Sequence, residues 1–133
     1  MRNAAFAACL IVLSSVVTAG NHLGVLDGTT WALTVEPDAM AQENGATPFR
    51  ETLKFNDGKA ALSDPKVGVL EAPYTVSRGG GTGWSFHTQR SSAAEGTSTW
   101  TGTVDGNSIE GKLVLIKSGG LVLIYTFKGY KLS

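Results

Sequence analysis

Three very tight connections limit this chain more than any other feature: Asn56-Asp57-Gly58, Asp105-Gly106-Asn107 and Ser118-Gly119-Gly120. Each separates two short runs rich in Thr, Val, Ile, Leu and aromatic residues. Glycine and asparagine tolerate the positive φ that hairpin turns demand, so the runs on either side should pair as antiparallel neighbours. From Leu23 onward the same grammar repeats, with Gly, Asp, Asn and Pro clusters between the runs and no window of helical periodicity. Eight runs read as strands: Thr30 to Val35, Glu51 to Asn56, Lys59 to Ser63, Tyr74 to Arg78, Trp84 to Arg90, Thr97 to Val104, Ser108 to Ile116, and Leu121 to Lys131. Sequential hairpins make a meander, and closing a meander removes the unpaired edges that invite aggregation. The predicted fold is therefore all-β, a single eight-stranded antiparallel up-and-down barrel.

Alternation assigns the faces. Thr97, Thr99, Thr101 and Thr103 fall on one side of their run and should face water, while Ser98, Trp100, Gly102 and Val104 fall on the other. The same period sends Trp31, Leu33, Val35, Leu53, Phe55, Trp84, Phe86, Ile109, Leu113 and Leu115 inward. The last run alternates poorly, because Leu121 to Tyr125 is apolar on both sides. Its outer face should be covered, either by the leading segment His22 to Leu26 or by a partner chain. Two connections exceed a simple turn. Glu36 to Phe49 is expected to form a lid over one barrel mouth, and Asp64 to Pro73, with Val67, Val69 and Leu70, a short helix or plug.

The amino terminus reads as a secretory leader. Arg2 supplies a positive charge, Ala4 to Val17 is an apolar and small run, and Val17-Thr18-Ala19 offers the small residues a signal peptidase accepts. The expected division is a signal peptide over 1–19 and a barrel domain over 20–133, exported to the periplasm or the medium. The apolar run is shorter than the ~20 residues needed to span a bilayer core, and no charged cluster stops it. Cys9 stands near the start of the run, where a lipid-anchor cysteine would follow it. Cleavage removes that only cysteine, so no disulfide can staple the mature domain and its core must hold it alone. With eleven basic and eleven acidic residues and no basic run, nothing predicts a nucleic-acid partner. Nor does any later apolar stretch predict a membrane span after cleavage.

These residues resemble those of small bacterial exported barrels of the lipocalin-like, or calycin-like, kind. The resemblance rests on Leu26-Asp27-Gly28-Thr29-Thr30-Trp31 opening the first strand, the long first loop, and the aromatic final strand Tyr125-Thr126-Phe127-Lys128-Gly129. Two residues separate Gly28 from Trp31 where the lipocalin signature has one. The resemblance implies that a basic residue of the last strand, Lys128 or Lys131, packs on Trp31. Avidins and small metalloprotease inhibitors share the architecture, so the likeness implies a shape and leaves the ligand open.

No motif carries catalytic chemistry. Gly83-Trp84-Ser85-Phe86-His87 holds a serine and a histidine, but a nucleophile elbow needs a second glycine after the serine and a strand-to-helix turn. Ser85 and His87 instead share one face of a strand, the outer one. His22 and His87 are the only histidines, and no metal-ligand spacing surrounds them. Arg78-Gly79-Gly80-Gly81-Thr82-Gly83 lacks the Gly-Lys-Ser/Thr ending of a phosphate loop and reads as a hairpin connection. No enzyme activity, metal or cofactor is expected. What remains is aromatic: Trp31, Trp84, Phe86 and Trp100 point inward, as ordinary core or as the wall of a pocket. Arg78 and Arg90 fall in the inward register beside them, where a positive charge would favour an anionic head group. The leading expectation is a non-enzymatic exported module that binds a small apolar or amphipathic molecule through Trp31, Trp84, Phe86, Trp100, Arg78 and Arg90. The alternative is a protein-interaction barrel with a filled core, such as a protease inhibitor.

Overall fold

The tight connections adopt the backbone their residues permit. Asp57 and Gly58 both have positive φ, 54° and 75°, the pair a two-residue hairpin turn requires. The computed structural model describes residues 24–63, 70–78 and 81–133, so the leader expected over 1–19 lies outside the described residues. Eight strands follow in order: β1 (Thr29–Pro37), β2 (Phe49–Asn56), β3 (Lys59–Leu62), β4 (Leu70–Arg78), β5 (Trp84–Ser92), β6 (Gly96–Asp105), β7 (Ser108–Ile116) and β8 (Val122–Lys131). Each pairs antiparallel with the next, and β8 returns to β1 to close the barrel.

Two of the expected connections are shorter than the sequence predicts. The sequence predicts a connection from Asp64 to Pro73 that forms a short helix or plug, yet Leu70 to Pro73 belongs to β4, in register with Leu62 to Lys59. Pro73 disguises this by lacking an N–H, but it faces Lys59, the first residue of β3, where the ladder ends. Residues 64–69, with the expected plug residues Val67 and Val69, lie outside the described residues. Between β1 and β2 a five-residue helix, α1 (Ala39–Glu43), takes up part of the expected lid. Asp38 caps it by accepting from the Ala41 N–H at 2.8 Å, and the Asp38 N–H donates to the Ile124 carbonyl at 2.9 Å, so the helix start is fastened to β8.

One end of the barrel is closed by the segment before β1. Residues 24–26 are helical and Leu26 is buried in the core. The Asp27 carboxylate accepts from the Gly58 N–H at 3.1 Å and from the Tyr74 hydroxyl at 2.6 Å, tying this segment to the β2–β3 turn and to β4. Thr29 Oγ1 donates to the Leu26 carbonyl and accepts from Trp31 Nε1 at 2.9 Å, so the Trp31 indole is satisfied within its own strand. Residues 24–28 thus plug an end of the barrel and do not cover β8, while His22 and Leu23 of the expected covering segment lie outside the described residues. Val122 and Ile124, on the outer face of β8, are exposed, as is Ile116 beside them on β7. Of the two basic residues, Lys131 is the cross-strand neighbour of Trp31, whereas Lys128 lies opposite Thr34.

Above that plug the interior is filled with aromatic rings. Phe55 meets Tyr74 at 4.7 Å and Phe86 at 5.2 Å, and Phe127 meets Phe86 at 6.3 Å and Trp100 at 5.3 Å, each pair tilted or edge-on as ring quadrupoles prefer. Room for them comes from Gly102 and Gly111, cross-strand partners that also point inward. A Cβ on Gly102 would stand 2.9 Å from a Phe86 ring carbon, and one on Gly111 2.7 Å from a Phe127 ring carbon. Burying one large apolar side chain contributes about 1.5–3 kcal/mol, so this cluster substitutes for the missing disulfides.

Candidate functional site: the barrel mouth

The aromatic filling stops short of the end opposite the plug. There, the loop after α1, the ends of β3 and β7 and the start of β8 surround a depression of about 480 Å³. Its walls are mostly apolar: Phe49, Leu62, Trp100, Leu113, Leu115, Leu121, Leu123 and Tyr125, with the segment Asn44 to Pro48 on one side and Lys117 on the rim. Phe49 and Tyr125 meet edge to face at 5.7 Å across one wall. Burial pushes the Tyr125 phenol above its ordinary value, which marks this wall as poorly hydrated.

A smaller recess of about 20 Å³ shares Leu62 and Trp100 with the mouth and is bounded also by Leu53, Ala60, Ala72, Thr88, Gln89, Arg90 and Ser98. Trp100 is 4% exposed, and its Nε1 is buried with no hydrogen-bond partner. Buried donors rarely go unpaired, because each one forfeits its bonds to water. Arg90 is half-buried at this recess. The Thr88 hydroxyl proton is committed to the Pro73 carbonyl at 2.9 Å.

The six residues singled out from sequence do not surround one space. Trp31 and Phe86 belong to the solid core. Trp84 lies half-buried at the start of β5, near the plugged end, with the exposed Arg78 guanidinium over its ring at 4.6 Å. Trp100 and Arg90 stand together at the mouth. Arg78 and Arg90 both fall in the inward register, opposite Trp84 and Ser98 respectively, but Arg78 ends β4 beside the start of β5 whereas Arg90 stands near the end of β5. Ser85 and His87 lie on the outward face, opposite Ser77 and Thr75.

A broader depression, about 740 Å³, lies on the outside of the wall among Thr34, Thr101, Thr103, Lys112, Thr126 and Lys128. Phe86 and Phe127 line it together with the charged side chains of Glu36, Glu110, Lys112 and Lys128, whereas eight large apolar side chains wall the mouth. Among the described residues no cluster of three His, Cys, Asp or Glu could hold a metal ion, and no helix is long and apolar enough to cross a membrane.

The chain matches no protein-family model, no curated protein and no solved structure. Its site therefore rests on its own geometry. Sequence reasoning missed Phe49, Leu121, Leu123, Tyr125 and Lys117 as mouth residues. The signal was partly there, since alternation sends Leu123 and Tyr125 inward. What it lacked was the position of each residue along the barrel axis, which depends on register around all eight strands.

Proposed function

We propose that this protein is an exported, non-enzymatic, lipocalin-like binding module that holds a small apolar or amphipathic molecule in the mouth of its barrel. The observation that carries this reading is the mouth itself: about 480 Å³ of mainly apolar concavity above an otherwise filled interior. That volume lies within the ~300–1,000 Å³ range of small-molecule sites. Export is supported by the leader pattern of Arg2, the apolar run Ala4 to Val17 and the small residues before position 20. The Asn44 to Pro48 segment serves as the lid that the sequence assigned to this region, and α1 anchors it.

The test is titration of the purified protein with N-phenyl-1-naphthylamine, a neutral dye that brightens in apolar surroundings. A saturable, one-to-one rise at micromolar dye is expected, weakened at least fivefold by Leu115→Glu. A flat response would overturn the reading and favour the second one, a protein-interaction barrel. That alternative draws on the exposed apolar side chains Ile116, Val122 and Ile124 on the outer wall.

A further inference from the structure

Outside the barrel, β7 and β8 carry apolar side chains where water is expected. On their outer face Val114 stands opposite Ile124, and Ile116 opposite Val122. Ile116, Val122 and Ile124 are exposed and Val114 is half-buried. Met40, also exposed, belongs to α1, whose start is fastened to β8 at Ile124. An antiparallel sheet with one solvated face ordinarily puts polar side chains there, so four neighbouring apolar positions mark a docking surface.

The next level along the same strands is charged, and its order selects the occupant. Lys112 of β7 lies opposite Thr126 of β8, and Thr126 lies opposite Glu36 of β1, so a cation and an anion flank β8 at one level. All three are exposed and line the depression of about 740 Å³. A two-fold axis running along β8 exchanges the two sides of that strand and keeps each level in place. The geometry points to a second copy of this chain as the partner, paired about such an axis. Ile124 and Val122 then pack on their own counterparts, and Lys112 of each copy meets Glu36 of the partner subunit, so the face is self-complementary as an isologous interface must be. The strands of the two facing sheets stay aligned, the arrangement in which sheets pack face to face. Equal numbers of acidic and basic residues let the copies approach without net repulsion. An anionic lipid surface fits less well, because the depression offers it Glu36 and Glu110 as readily as Lys112 and Lys128. The pairing is independent of what the mouth holds.

Sedimentation equilibrium of the purified protein tests this. The weight-average mass should rise from one chain to two, with a dissociation constant in the micromolar range of about 1–100 μM that such modest interfaces give. Ile124→Lys should weaken pairing at least tenfold while leaving the urea midpoint of the dilute protein unchanged, since this side chain is exposed. Lys112→Glu and Glu36→Lys should each weaken it at least fivefold by setting like charges against one another. The double charge swap, Lys112→Glu with Glu36→Lys, should restore the affinity to within about twofold of the original, because it regenerates both opposite-charge contacts. A mass that stays at one chain at every concentration would overturn the proposal, and cosedimentation of that monomer with phosphatidylglycerol vesicles would assign the face to a lipid surface instead. A dimer indifferent to Ile124→Lys would place the interface elsewhere, and a swap that fails to rescue would remove the two-fold axis along β8; either result overturns the pairing as stated.

Discussion

Asp27 shows how much one side chain can organise in a small barrel. Its carboxylate joins the segment before β1 to the β2–β3 turn and to β4, through Gly58 and Tyr74, residues 31 and 47 positions away. Replacing it, Asp27→Ala, should leave the Tyr74 hydroxyl and the Gly58 N–H without their acceptor and cost about 3 kcal/mol in urea unfolding. The same contact makes stability depend on pH. Burial, then the hydrogen bond to Asp27 and its negative charge, push the Tyr74 phenol well above its ordinary value of 10.0. The folded chain therefore keeps a proton that the unfolded chain releases near that value. The contribution is complete below pH ~10 and falls away as pH rises further, because deprotonation then stabilises the unfolded state. Urea midpoints compared at about pH 8 and 11 should drop steeply, and Tyr74→Phe should flatten the drop without abolishing it, since the Tyr125 phenol is raised as well. None of this was legible in the sequence, where Asp27 reads as a turn residue beside Gly28 and Tyr74 as the start of a strand.

Among the elements, β6 and β7 show where a period-2 pattern succeeds and where it needs a second layer of explanation. The threonines of β6 lie on the outer side and Trp100 and Val104 are buried, as alternation requires. Gly102 and Gly111 look like weak points in two otherwise well-patterned strands. Tertiary packing supplies their reason: each gives up a side chain so that the rings of Phe86 and Phe127 can press against the sheet. Gly111→Ala would drive its Cβ against the Thr101 carbonyl and to 2.5 Å from Gly102 Cα, contacts with backbone that cannot swing aside. Thermal or urea unfolding should show a loss of about 3 kcal/mol, the cost of overpacking a close-packed core. Gly119→Ala, whose Cβ meets nothing within 4 Å, should change stability by less than ~0.5 kcal/mol. The contrast separates a packing glycine from a merely exposed one. For β4 the pattern misled, because Pro73 marks a break in most strands; here it sits where β3 has run out of partners.

At the scale of the whole molecule the decisive contact is between the first and last strands of the barrel. β1 and β8 pair from Trp31–Lys131 to Pro37–Tyr125, and the Thr30 N–H donates to the Ser133 carbonyl at 3.0 Å. Contacts so distant in sequence form only after the long intervening loop is closed, which makes such barrels slow folders. Deleting residues 122–133 should leave β1 and β7 with unpaired edges. Light scattering and size-exclusion chromatography are expected to report aggregates in place of a monodisperse species, since exposed edges recruit other strands. A truncated chain that stayed monodisperse would mean that β7 and β1 can close the barrel without β8.

Local rules were enough to specify the strands, their order and their faces, because hairpin turns and alternation are properties of neighbouring residues. The eight runs, the meander and the inward placement of Trp31, Leu33, Val35, Leu53, Phe55 and Phe86 all follow from them. Position along the barrel axis is different in kind. It is set by the accumulated register of eight strand pairs, so no single run reveals that Trp84 lies by the plugged end while Trp100 lies at the mouth. Only the closed barrel decides that Arg90 shares a recess with Trp100, that Arg78 instead caps Trp84, and that the aromatic core stops below Leu115, Leu121 and Leu123 to leave an open, apolar mouth.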